Sequence, residues 1–147
     1  IQKCYRVSRK PRGIAVIINN ETFDDEDRFP KRESSDYDVI NMEELFRELY
    51  FLVKKYTNKS AQGIISCLQY ERSNIPTSDI FVAVIMSHGS RDSVYGTDGK
   101  SVPIDDITAI FNGDNCQQLR ETPKLFFIDA CQGGGTSIAI ITHSLYL

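Results

Sequence analysis

Three short apolar runs constrain this chain more than anything else in it. Residues 14–18 read Ile-Ala-Val-Ile-Ile, residues 79–86 read Asp-Ile-Phe-Val-Ala-Val-Ile-Met, and residues 125–128 read Leu-Phe-Phe-Ile. Each is continuously apolar where a half-exposed strand would alternate, so each is expected to be buried on both faces. They are rich in β-branched and aromatic residues, which suit a pleated, packed surface. Only a sheet covered on both sides by other elements offers such an environment.

The segments between them supply the cover. From Ser35 the period changes: Val39, Met42, Phe46 and Leu49 recur at three- and four-residue spacing, with Leu45 beside them, which predicts an amphipathic helix. Ser34 or Ser35 is positioned to cap it, and Asp36 and Asp38 favour the positive end of its dipole. Residues 51–56 predict a half-polar strand with Phe51 and Val53 on one face. Asn58 or Ser60 opens a second helix with Ala61, Ile64, Ile65 and Leu68 as its stripe. Residues 94–102 read as a hairpin turning at Asp98-Gly99, residues 104–111 as a short helix after Pro103, and residues 113–122 as a loop. Strands alternating with helices imply an α/β fold with a mainly parallel sheet flanked by helices. The acidic stretch Asp24-Asp25-Glu26-Asp27 reads as a solvated loop face.

Composition excludes several classes. A chain of 147 residues with 41% hydrophobic and 25% charged residues suits one domain with a real core. A net charge of -3 with no basic stripe argues against nucleic acid as a partner. The basic residues Lys3, Arg6, Arg9, Lys10 and Arg12 fall in residues 1–12, read as a solvated lead-in or linker. No apolar run reaches the length of a membrane span and no signal peptide is visible, so neither membrane association nor secretion is expected. Cys4, Cys67, Cys116 and Cys131 lack C-x-x-C spacing and only two histidines accompany them. No metal site or cofactor is therefore expected, and a reducing, cytoplasmic location fits free thiols best.

Two of the apolar runs end in reactive residues. The second leads into Ser87-His88-Gly89, and the third into Asp129-Ala130-Cys131-Gln132 followed by three glycines. In a parallel sheet both ends emerge at the carboxyl edge, where α/β sites are built. A thiol there is either a nucleophile or a buried structural cysteine, and taken alone the composition leaves both open. His88 in the same edge favours the first, because an imidazole beside a thiol is a nucleophilic-catalysis arrangement. His143 has no comparable context.

Phe-Phe-Ile-Asp-Ala-Cys-Gln-Gly (126–133) resembles the caspase motif Gln-Ala-Cys-[Arg/Gln/Gly]-Gly. Ser87-His88-Gly89 is similar to the family's Ser-His-Gly. Gly-Ile-Ala-Val-Ile-Ile-Asn-Asn (13–20) resembles its first strand and Tyr-Gly-Thr-Asp-Gly (95–99) its hairpin. Gly113-Asp114-x-Cys116 and Pro123-Lys124-Leu125 also match. The resemblance implies the caspase-hemoglobinase fold, with residues 13–135 corresponding to a large (p20-like) catalytic subunit and residues 136–147 to an active-site loop, intersubunit linker or tail. It implies a cysteine endopeptidase cutting after aspartate, in apoptosis or related signalling. Cys131 would attack the scissile carbonyl and His88 would protonate the leaving amine. The N–H groups of Gly89 and Cys131 would form the oxyanion hole, and Arg32 would grip the substrate aspartate.

One position departs from the family. Its pocket residue two before the cysteine is glutamine, a donor to a substrate carboxylate, whereas Asp129 when ionised only accepts. Two like charges near 4 Å cost about 4 kcal/mol at an effective dielectric of 20, roughly a thousandfold in recognition if uncompensated. Metacaspases and paracaspases, which cut after basic residues, carry aspartate here but lack an arginine matching Arg32. Three readings follow in descending order: an aspartate-directed caspase with weakened or pH-dependent recognition, a caspase-like regulator that binds another caspase, and a protease with altered primary specificity. Introduction of Asp129 by mutation is a fourth. The resemblance further implies a small subunit from the same precursor, assembling as a dimer of heterodimers and completing sheet and pocket. Protein or peptide substrates and adaptor or inhibitor proteins are the other implied partners. With nothing comparable after Gly135, the chain alone is expected to leave a sheet edge unpaired and to be inactive.

Overall fold

The computed structural model describes the backbone of residues 4–132 and 135–143 and the side chains of residues 4–130. The three apolar runs form adjacent parallel strands, as their composition requires. β1 (Gly13–Asn19) pairs on one side with β2 (Phe51–Thr57) and on the other with β3 (Phe81–Ser90), and β3 pairs with β6 (Lys124–Gln132), all in parallel. Among the described residues the strand order is β2-β1-β3-β6, with β7 (Gly135–His143) antiparallel on the far side of β6.

The strict alternation of a strand divides the core in two. Ile14, Val16, Ile18, Phe81, Ala83, Ile85, Phe126 and Ile128 face one side, under α2 (Ala61–Ser73) and α3 (Ile104–Ala109). On that side Phe81 stacks on Phe111 at 4.2 Å between ring centroids. Ala15, Ile17, Val82, Val84 and Met86 face the other side, under Phe46, Met42 and Val39 of α1 (Ser35–Glu48). The flanking helices thus confirm the α/β reading. Gly13 is where the chain enters the sheet, and a Cβ there would overlap the Ile80 carbonyl oxygen.

Several local expectations change. Neither serine hydroxyl caps α1: Ser34 takes a left-handed φ of 69° with no side-chain cap bond, and the Ser35 hydroxyl accepts instead from Asn19 Nδ2 at 3.0 Å. Ser60 does cap α2, accepting from the Gly63 N–H at 3.0 Å. Asn58 accepts from the N–H groups of Glu21 and Thr22. The hairpin strands β4 (Ser93–Tyr95) and β5 (Ser101–Pro103) are shorter than expected, and the connection spans residues 96–100. Gly99 has φ 74°, and its N–H bonds the Gly96 carbonyl. α3 ends at Ala109 rather than residue 111.

Both ends of the described chain are paired into the fold. Residues 8–12 are anchored: the N–H groups of Ser8 and Arg9 donate to Asp79 Oδ2, and Arg9 Nε donates to Asp79 Oδ1 at 3.0 Å. The segment expected to be a loop, linker or tail after residue 135 forms β7, which runs the full length of β6 from Gln132↔Gly135 to Lys124↔His143. Among the described residues β7 is the last strand on that side of the sheet.

Candidate active site

The carboxyl ends of β1, β3 and β6 bring together Asn19, His88 and Cys131. β3 and β6 run farther than their apolar cores suggest, so His88 and Cys131 both lie within strands. They are direct partners in the parallel register, His88↔Cys131, and adjacent strands are about 4.8 Å apart. The Cys131 side chain lies outside the described residues; its backbone continues β6 instead of following the strand's end.

His88 is held from three sides. Its Nε2 lies 2.6 Å from the Pro30 carbonyl oxygen. A carbonyl only accepts, so Nε2 carries the proton, and in the neutral ring Nδ1 is the basic nitrogen. The rings of Phe23 and Phe29 lie against the imidazole at 4.8 and 5.7 Å between centroids. Ser87 before it is fully buried and donates to the Tyr95 carbonyl at 2.6 Å. Gly89 after it packs so closely that a Cβ would come within 2.5 Å of Ala130 Cβ and 2.7 Å of the Ser93 carbonyl oxygen.

Arg32 precedes α1 and reaches back over the end of β1. Nη1 donates to Asn19 Oδ1 at 2.9 Å and to the Asn20 carbonyl at 3.0 Å. Nη2 faces Asp129 Oδ2 at 3.4 Å, long for a charge-assisted bond. Arg32 is 11% exposed and Asp129 26%, so the pair is largely withdrawn from solvent. Asp129 Oδ1 is buried and has no hydrogen-bond partner among the described residues. Arg32, Asp129, His88, Pro30, Ser35 and Asp38 contribute to the lining of one polar cavity of about 370 Å³. Lys31 at its rim is engaged elsewhere, by Glu21 at 3.4 Å and Glu33 at 3.9 Å, and the hydrogen bond to Glu21 holds its pKa above the ordinary lysine value.

The structure therefore gathers Arg32, His88, Gly89 and Asp129 at one sheet edge, with the Cys131 backbone in register. Sequence reasoning missed the Pro30 carbonyl, the two phenylalanines and the role of Asn19. The Pro30 contact is made by a backbone carbonyl, which any residue at that position would supply. Phe23 and Phe29 are the apolar residues on either side of the acidic run, and both are buried while Asp24 to Asp27 are exposed. No group of three or more His, Cys, Asp or Glu side chains among the described residues is arranged to hold a metal ion. No helix among them is long and apolar enough to cross a membrane.

Comparison with known proteins gives a consistent result. The family model described as the caspase domain matches residues 12–144. Mouse (Mus musculus) caspase-8 is 39% identical over 139 residues, covering 89% of this chain and 29% of the relative. Chicken (Gallus gallus) caspase-7 is 36% identical over 141 residues, covering 95% and 45% respectively. Cat (Felis catus) caspase-3 is 33% identical over 141 residues, covering 95% and 50%. The chain thus spans between under a third and half the length of these relatives.

Proposed function

The chain belongs to the caspase family, and on that premise we propose that its full-length protein is a cysteine endopeptidase cutting protein substrates after aspartate, with recognition weakened by Asp129. The observation that carries this reading is the register pair His88↔Cys131, with the His88 ring oriented by the Pro30 carbonyl. Cys131 attacks the scissile carbonyl as thiolate, the reactive form of the residue. His88, with Nε2–H committed to Pro30, uses Nδ1 to carry the proton delivered to the leaving amine. The N–H groups of Gly89 and Cys131 stabilise the oxyanion, an effect typically worth a hundredfold or more per donor. Arg32 supplies the positive charge that selects a carboxylate, and Asp129 offsets it.

The same reading makes residues 13–135 the large-subunit part of a precursor. A small subunit from that precursor completes the assembly as a dimer of heterodimers, acting in the cytoplasm in apoptosis or related signalling. A second reading, a regulator that binds another caspase and cuts little, is favoured by one observation: Arg32 already faces Asp129.

The test compares full-length protein with Cys131→Ala and His88→Ala on peptides ending in aspartate before the scissile bond. Cys131→Ala should fall to background, and His88→Ala should lose about a hundredfold or more. Undiminished cleavage by Cys131→Ala would refute the assignment. Absent cleavage by wild type together with tight binding to a second caspase would favour the regulator.

A further inference from the structure

One fully buried polar side chain, just past the end of β1, lies outside the chemistry assigned above. Asn20 Oδ1 accepts from the Lys59 N–H at 2.7 Å. Its Nδ2 donates to the Lys59 carbonyl at 3.1 Å and to the Tyr95 carbonyl at 3.2 Å. Its backbone N–H donates to the carbonyl of Met86, two residues before His88, at 2.9 Å. Each polar atom of the amide therefore has a partner, as a buried carboxamide requires.

The Tyr95 carbonyl is where these bonds meet the imidazole. It accepts a second hydrogen bond, from the Ser87 hydroxyl at 2.6 Å, and Ser87 is fully buried and adjacent to His88 in β3. The Tyr95 ring lies 4.8 Å from that of Phe29, which packs on the imidazole at 5.7 Å between centroids. Tyr95 thus bears on His88 twice, on its backbone through Ser87 and on its ring through Phe29. Asn20 ties Tyr95 to the connection before α2 and also opens the segment that carries Phe23, Phe29 and Pro30. That segment closes where the Arg32 N–H donates to the Glu21 carbonyl at 2.9 Å. Apolar contact between rings is non-directional, whereas a hydrogen bond fixes distance and direction, so the amide is what sets where the stack stands. Asn20 and Ser87 are both buried, so the arrangement is made by this chain's own groups.

Resting on the protease reading above, we infer that Asn20 is a positioning residue for His88: through the Tyr95 carbonyl it holds the Ser87 backbone and the Phe29 ring where they fix the imidazole beside Cys131. Asn20 itself touches no substrate. A misplaced general acid slows the chemical step and leaves peptide binding alone.

The experiment uses the full-length protein, peptides ending in aspartate, and NMR of isotope-labelled histidine, the His88 signals being identified by their loss in His88→Ala. Asn20→Ala should lower kcat by about tenfold, less than the hundredfold or more of losing the imidazole, with KM changed by about twofold at most. The His88 ring signals should move or broaden with it. Asn20→Asp keeps the shape and an acceptor for the Lys59 N–H but sets an acceptor against the Tyr95 carbonyl, so it should lose kcat too. Should Asn20→Ala fail to fold, Asn20→Asp carries the same comparison. Ser87→Ala should also lower kcat, and the double variant should lose less than the product of the two single losses, because both act through one carbonyl. Wild-type kcat in Asn20→Asp would make Asn20 a support for Lys59 alone and overturn the inference. So would a loss confined to KM, strictly multiplicative losses in the double variant, or unchanged His88 signals in both Asn20 variants. If wild type cleaves none of the peptides, the protease reading falls, and the ring signals still decide whether Asn20 positions His88.

Discussion

At the scale of single residues, the candidate site is most legible where a polar side chain interrupts an apolar strand. His88 and Asp129 each follow a run of core residues, and nothing in an apolar core calls for them, so they announce a site. The Pro30 carbonyl that orients His88 carries no such signature, because a backbone acceptor looks the same in every residue. Ser35 shows a related failure: its type suggests a helix cap, but the buried Asn19 amide needs an acceptor and takes the hydroxyl first. The cysteines separate by environment in the same way. Burial pushes the Cys67 thiol up to about 11, and it is 8% exposed, whereas Cys4 is exposed. A thiol held that high is almost wholly protonated at neutral pH and so unreactive. Brief treatment of the folded protein with iodoacetamide at neutral pH should label Cys4 and spare Cys67, as read by peptide mass mapping. Labelling of Cys67 at the rate of Cys4 would contradict the buried placement.

At the scale of elements, strand identity was readable because burial on both faces demands continuous apolar runs, and helix identity because one buried face demands a period. Boundaries were less readable, since the hydrogen-bond ladder continues past the apolar core: β3 runs on to Ser90 and β6 to Gln132. The anchoring of residues 8–12 was invisible for a different reason, being made by one carboxylate 70 residues away in the sequence. The N–H groups of Arg9 and Ser8 hold the Asp79 carboxyl below the ordinary carboxylate value, with the Arg9 charge adding to them. A depressed folded-state pKa stabilises the anchored form above the unfolded value of about 3.9 and loses that contribution as pH falls through the folded value. The amide signals of Ser8 and Arg9 should therefore titrate together, with a midpoint below about 3.9. Asp79→Asn should shift both to free-chain positions already at neutral pH. A midpoint at or above the ordinary value would mean the carboxylate does not hold the segment.

At the scale of the whole molecule, the two sheet faces are unequally covered. Among the described residues α2 and α3 bury one face, while α1 covers the other only in part. Its stripe was predicted as core, yet Leu45 is 47% and Leu49 39% exposed. They border two apolar cavities of about 490 and 370 Å³ that share Met42, Leu45 and Phe127, the first of which also reaches Asp129. The amphipathic period told which side of α1 is apolar but not whether anything lies over it, because a period reports one element and cover is a property of two. An apolar groove of this kind marks an interaction surface, and on the proposed reading the small subunit covers it. Isolated residues 1–147 should then bind a fluorescent apolar dye and cleave none of the peptides. Adding the small subunit should displace the dye and restore cleavage. Leu45→Glu puts a charge in the groove at a half-exposed position, so the fold should tolerate it to within about 0.5 kcal/mol while association weakens by tenfold or more, about 1.4 kcal/mol. Sedimentation of the two subunits together reads the association, and denaturant unfolding of the variant alone reads the fold. Full activity of monomeric residues 1–147 would show instead that β7 and the partly covered groove already make a finished molecule.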